Sequence, residues 1–300
     1  IQRRAKTMAC HRATFVRFGK SLCLDHAFMG GYTRTLDGKY ASLQIVTTTG
    51  QVIFTRVFGD KSLNHVSEVL KTITEQAHKQ YGVRVQIVYT DNPVQDEGVL
   101  KESTKLNGEC AKVGADVFHL ILNIGKQLRT AHPLRKLYIG RLAEVFLLPL
   151  HADVVAVEAD LVANGMTPLE ARDKVQSRDF VRSHPRIRRV LNRLDVMTKK
   201  LDEWVADVLK VESFTLGGFT KAVAQAHKYI ERGYVVDLEG SGDGNIINVG
   251  TEHEPKYIMA RGTNAAEEVH ADMRRANFGM CSAPLQHLMM LSVTYRSSLR

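Results

Sequence analysis

The stretch Val85-Gln86-Ile87-Val88-Tyr89-Thr90-Asp91 constrains the fold most, because it is apolar and β-branched enough to demand burial and yet ends on a carboxylate. A period of two puts Val85, Ile87, Tyr89 and Asp91 on one face of a strand. Near the start of the chain, Ser21-Leu22-Cys23-Leu24-Asp25 repeats the arrangement. If these strands are adjacent and parallel, Asp25 and Asp91 meet at one end of a sheet. Between them, residues 40–47 and 51–57 are rich in β-branched and aromatic side chains and are separated by Thr48-Thr49-Gly50, which reads as an antiparallel hairpin. Ser62 then opens an amphipathic helix, with Leu63, Val66, Val69, Leu70 and Ile73 at helical spacing and Gly82 as its stop.

A third acid, Glu267, follows Arg261-Gly262-Thr263-Asn264 at the start of a helical pattern. Asn264 and Glu267 have the spacing of a capping box, which alone accounts for the glutamate. Glu267, His270 and Arg274 nevertheless form one stripe of acid, imidazole and guanidinium suited to a metal-bound phosphate. In-line displacement at phosphorus uses two hard cations about 3.5–4 Å apart. Magnesium takes one or two protein carboxylates and leaves the remaining positions to water and phosphate. Asp25, Asp91 and Glu267 are therefore enough for a site of two Mg²⁺ or Mn²⁺ ions.

Composition agrees with a polyanionic partner, nucleic acid first and a membrane surface second. The 300 residues carry 41 Lys plus Arg against 32 Asp plus Glu, a net charge of +9, and 44% hydrophobic content supplies a core. No apolar run approaches the roughly 18 residues of a spanning helix, and charge occupies the N-terminus where a signal peptide needs an apolar core. Cys10, Cys23, Cys110 and Cys281 form no Cys-x-x-Cys pair, so they read as reduced thiols of an intracellular protein. Residues 1–20 are a basic lead-in (Arg3, Arg4, Lys6, His11, Arg12, Arg17, Lys20), expected to end a missing N-terminal DNA-binding region.

Residues 21–130 are expected to form the first part of an α/β core, although periodicity leaves 114–122 open between strand and helix. Residues 131–230 read as a helical insertion, in which Thr167-Pro168-Leu169-Glu170 spells a capped start. Residues 231–300 complete the core with a hairpin or extended arm, built on Tyr234-Val235-Val236 and Ile246-Ile247-Asn248-Val249, and with the Glu267 helix. The basic run Arg186, Arg188, Arg189, Arg193, Lys199 and Lys200 is a solvated face or a contact to nucleic-acid phosphates. Trp204 belongs to packing inside the insertion before base stacking. Asp96 and Glu97 read as a solvated loop, with Asp96 kept as an auxiliary acid. Gly19-Lys20-Ser21 is no phosphate loop, since Thr14 stands where its first glycine belongs. The glycines of residues 240–244 likewise lack a strand-to-helix setting.

The order strand, strand, strand, helix, strand is the one with which a ribonuclease H-like mixed sheet opens. Four pieces in order, Leu22-Cys23-Leu24-Asp25-His26-Ala27-Phe28, Val88-Tyr89-Thr90-Asp91-Asn92 with Asp96, Asp116-Val117-Phe118-His119, and Arg261-Gly262-Thr263-Asn264 with Glu267 and His270, resemble transposases of the DDE/D class. The likeness is to the eukaryotic Mutator-like group and relatives with a long helical insert, and it runs from about residue 15 onward. It implies a ribonuclease H-like core with an all-helical insertion, and Asp25, Asp91 and Glu267 as catalytic metal ligands. His119 and His270 are auxiliary candidates beside the scissile phosphate. It also implies a nuclear, homo-oligomeric enzyme that cleaves transposon-end DNA and joins it to target DNA. The alternatives are a domesticated DNA-binding protein without activity and a simple nuclease of the same fold, the latter disfavoured by His26-Ala27 where Asp-x-Glu is usual.

Overall fold

The computed structural model describes residues 21–28, 41–47, 52–58, 64–237, 246–248, 251, 255 and 257–259. Described residues through Asp116 belong to one compact unit and those from Val117 onward to another. The first unit holds a five-stranded mixed sheet. Its strands are β1 (Ser21–Phe28), β2 (Ala41–Thr47), β3 (Val52–Phe58), β4 (Ile87–Thr90) and β5 (Lys112–Ala115), in the order β3-β2-β1-β4-β5. The β1–β2 and β2–β3 pairs are antiparallel, whereas β1–β4 and β4–β5 are parallel. The expected hairpin and parallel neighbours are thus both present.

Alternation divides the residues of the sheet. Leu22, Leu24, Ile45, Val88 and Val113 pack with Val66 and Leu70 of α1 (Asn64–Tyr81) and Leu100 of α2 (Pro93–Ser103) in one buried cluster. Gly82, at φ +65°, ends α1 at the stop expected from the sequence. Cys23, Ile87 and Tyr89, which alternate with those residues, are also buried. Asp91 is the first residue past β4, and Asp116 the first past β5.

Residues 114–122 prove to be strand and helix together, since β5 ends at Ala115 and α3 (Val117–Gly125) begins two residues later. The second unit continues with α4 (Arg135–Phe146), β6 (Leu147–Pro149), α5 (His151–Ala163), α6 (Pro168–Gln176), α7 (Arg178–Ser183), β7 (Arg189–Leu191), α8 (Leu194–Leu209) and α9 (Phe219–Glu231). The Thr167 hydroxyl and Glu170 carboxylate form the expected capping box at the start of α6. Helix α8 buries Met197, Leu201, Trp204 and Val208 on one stripe, and the Trp204 indole N–H donates to the Tyr138 carbonyl at 2.9 Å. Trp204 is therefore a packing residue. The segment expected to be all helical also contains the antiparallel β6–β7 ladder.

The final hairpin differs from expectation. Strand β8 (Ile246–Asn248) pairs with β9 (Tyr257–Met259), not with residues 234–236, which form no strand. Those residues serve the end of α9. Gly233, at φ +68°, donates to Ile230, and the Tyr234 N–H donates to the Tyr229 carbonyl at 2.9 Å. This is a Schellman cap, closed by the Tyr229 and Tyr234 rings meeting edge to face. Tyr234 and Val235 are apolar because they are buried against a helix end, which composition alone cannot tell from a strand.

Candidate metal centre

Parallel pairing sets the site. Tyr89 lies opposite Gly114 and Thr90 opposite Ala115, so the next residues, Asp91 and Asp116, stand side by side beyond two neighbouring strand ends. Such carboxyl ends are where ligands of open α/β sheets bind. The close approach depends on Gly114. A Cβ there would meet the Tyr89 ring at 2.6 Å, so the buried ring occupies the space a side chain would need.

Because α3 starts directly after Asp116, its first turn returns His119 to the same side, the i, i+3 relation of a helix. The ligating atoms of Asp91, Asp116 and His119 all lie within 4.8 Å of one another. Asp116 is buried, His119 half-buried and Asp91 exposed. One anchored carboxylate, one imidazole and one carboxylate at the solvent edge can hold a divalent cation and leave its outer positions open. Among the described residues these donors gather around one position, not two.

Asp25 occupies a related place in the backbone register. Cys23 pairs with Tyr89, and Asp25 and Asp91 each lie two residues further along. Glu267 and His270 lie outside the described residues. Asp96 does not belong to a solvated loop; it is buried in the first turn of α2, where its carboxylate accepts the Thr90 hydroxyl. Burial pushes the Asp96 carboxyl above its ordinary pKa, opposed in part by that hydrogen bond.

Asp116 is the candidate ligand to which the sequence alone gives no role. Its signal was present in Asp-x-x-His, but an i, i+3 pair carries weight only once a helix is known to begin there.

No protein-family model and no curated protein matches this sequence. The chemistry of the site therefore rests on its donors and their surroundings.

The basic run meets carboxylates of its own chain. Arg188 grips Asp153 of α5 through two guanidinium bonds and its backbone N–H, all at 2.8 Å, and its guanidinium lies over the Tyr257 ring. Arg186 pairs with Asp160 and Arg193 with Asp195. Arg189 and Lys200 line a groove of about 710 Å³ whose walls include Leu137, Leu147 and Leu148. Lys199 and Lys200 have no hydrogen-bonded or ion-paired partner among the described residues.

Proposed function

We propose that this chain is a metal-dependent phosphoryl transferase acting on DNA, transposase-like in substrate and reaction. The observation that carries the reading is the convergence of Asp91, Asp116 and His119 beyond the ends of two adjacent parallel strands. The sheet order β3-β2-β1-β4-β5 supports a ribonuclease H-like core around them. In this reading Asp91, Asp116 and His119 hold one ion, and Asp25 and Glu267 serve a second. Mg²⁺ or Mn²⁺ supplies Lewis-acid stabilisation of the charge that develops on phosphate oxygens during cleavage and strand transfer.

Each described side chain has a part. Buried Asp116 gives a ligand with little freedom to move, so donor geometry is set before substrate arrives. Exposed Asp91 stands at the solvent edge, where a phosphodiester has access. His119 contributes a nitrogen donor, and imidazole suits transition metals better than Mg²⁺, so Mn²⁺ is the favoured ion at this position. A homo-oligomer working in the nucleus on transposon ends and target DNA fits the same reading.

The test is strand cleavage of duplex DNA by the whole chain in Mn²⁺ and in EDTA. Asp91→Asn and Asp116→Asn should each lower the rate at least about 10³-fold, the scale of a lost transition-state interaction of about 4 kcal/mol. Cleavage that persists in EDTA, or that survives both substitutions, overturns the reading. Metal-independent DNA binding without cleavage by the unaltered chain would identify a DNA-binding protein instead.

A further inference from the structure

A metal ligand in a turn binds better when the backbone that carries it is fixed before the ion arrives, because less ordering is left to the binding step. Asp91 is a candidate ligand of that kind. It lies in the turn between β4 and α2, past the last ladder pair, Thr90 with Ala115. The residues on either side of it are held nonetheless.

Thr90 is the hub. It is buried, its hydroxyl donates to the carboxylate of buried Asp96, and its hydroxyl oxygen accepts the Asn92 N–H at 3.4 Å. The Asn92 carbonyl in turn accepts the N–H groups of Gln95 and Asp96, both at 3.1 Å. Thr90 also reaches the second aspartate of the centre, since its carbonyl accepts the Asp116 N–H at 3.3 Å. Burying a carboxylate costs free energy unless hydrogen bonds offset it. A place in the first turn of α2 gives Asp96 some return from the helix dipole, but that does not require Thr90.

We propose that Thr90 and Asp96 form a latch that positions Asp91 for metal binding, an inference that rests on Asp91, Asp116 and His119 being the metal centre. Asp96 is then a positioning residue and not a ligand. Its carboxylate holds Thr90, and Thr90 holds the backbone on both sides of Asp91 as well as the amide of Asp116.

Mn²⁺ titration of the whole chain by calorimetry, with thermal unfolding measured on the same samples, separates this role from a merely structural one. Thr90→Val removes the hydroxyl at nearly constant shape, and Asp96→Ala removes its acceptor. Each should weaken Mn²⁺ binding about tenfold, the lower end for residues that orient metal ligands. Asp96→Asn keeps an acceptor oxygen and should regain most of the affinity. Thr104→Val is the control. Thr104 is also buried, and its hydroxyl oxygen accepts the Ala111 N–H at 3.0 Å, far along α2 from the turn. That variant should lower the melting temperature and leave Mn²⁺ affinity unchanged.

The latch is refuted if Thr90→Val melts earlier yet binds Mn²⁺ like the unaltered chain while Asp116→Asn and His119→Ala lose binding. In that outcome the centre stands. If Asp116→Asn and His119→Ala also bind normally, the centre is misassigned and the latch falls with it.

Discussion

Gly114 decides how closely two strands can carry their aspartates, and its role is spatial, since nothing larger than hydrogen fits beneath the Tyr89 ring. Gly114→Ala should cost about 1–3 kcal/mol in chemical denaturation, the range for overpacking a core. In a Tyr89→Leu background the same substitution should cost much less, because contacting residues couple. Equal costs in the two backgrounds would show that the ring is not the obstacle. Such a contact is invisible in sequence, where Gly114 is one small residue in a run too short to show a period. Asp91 was legible because the apolar run from Val85 to Thr90 leads up to it. Asp116 was not, because β5 passes into α3 without the glycine, proline or polar cluster that usually marks a boundary.

Helix α5 shows what an element hides from its sequence. The run containing Arg186 and Arg188 was legible as charge, but its partners Asp153 and Asp160 lie on α5, distant in sequence, and only folding pairs them. Burial would raise the pKa of Asp153, yet the hydrogen bonds and charge of Arg188 outweigh it and hold the carboxyl below its ordinary value of 3.8. A carboxylate depressed in the folded state stabilises above its unfolded pKa, and that contribution is lost as pH falls through the folded value. Stability should therefore drop below about pH 3.8, and Asp153→Asn should flatten that part of the curve in circular dichroism titrations. Near neutral pH, Asp153→Asn should cost about 3 kcal/mol, because it removes the charge that faces a largely buried guanidinium. Unchanged neutral stability would mark the pair as dispensable. The capping box at Thr167 and the stop at Gly82 were legible because each is written within four residues. The β6–β7 ladder was not, since three residues show no alternation and its strands are joined only through α5, α6 and α7.

At the scale of the whole molecule, the charge of +9 is not evenly available. Among the described residues Arg141, Arg178, Arg186 and Arg188 meet Asp207, Glu144, Asp160 and Asp153. Those arginines tie helices to one another and to a loop, and moving one to a phosphate would leave a carboxylate behind. Lys199 and Lys200 are under no such constraint. If the chain binds DNA through its surplus charge, log affinity should fall linearly with log salt by about 0.9 for each phosphate neutralised. Changing Lys199 and Lys200 to Gln should then shrink that slope by up to about 0.9 for each phosphate left without its lysine, and weaken binding to all duplexes alike. Arg186→Gln and Arg188→Gln should instead lower the melting temperature and leave the slope unchanged at temperatures where both variants are folded. Fluorescence anisotropy with two unrelated duplexes across a salt series reads both quantities. Weakening confined to one duplex would make the lysines readers of sequence, and a slope that follows Arg186 and Arg188 would mean that DNA competes with Asp160 and Asp153 for those side chains.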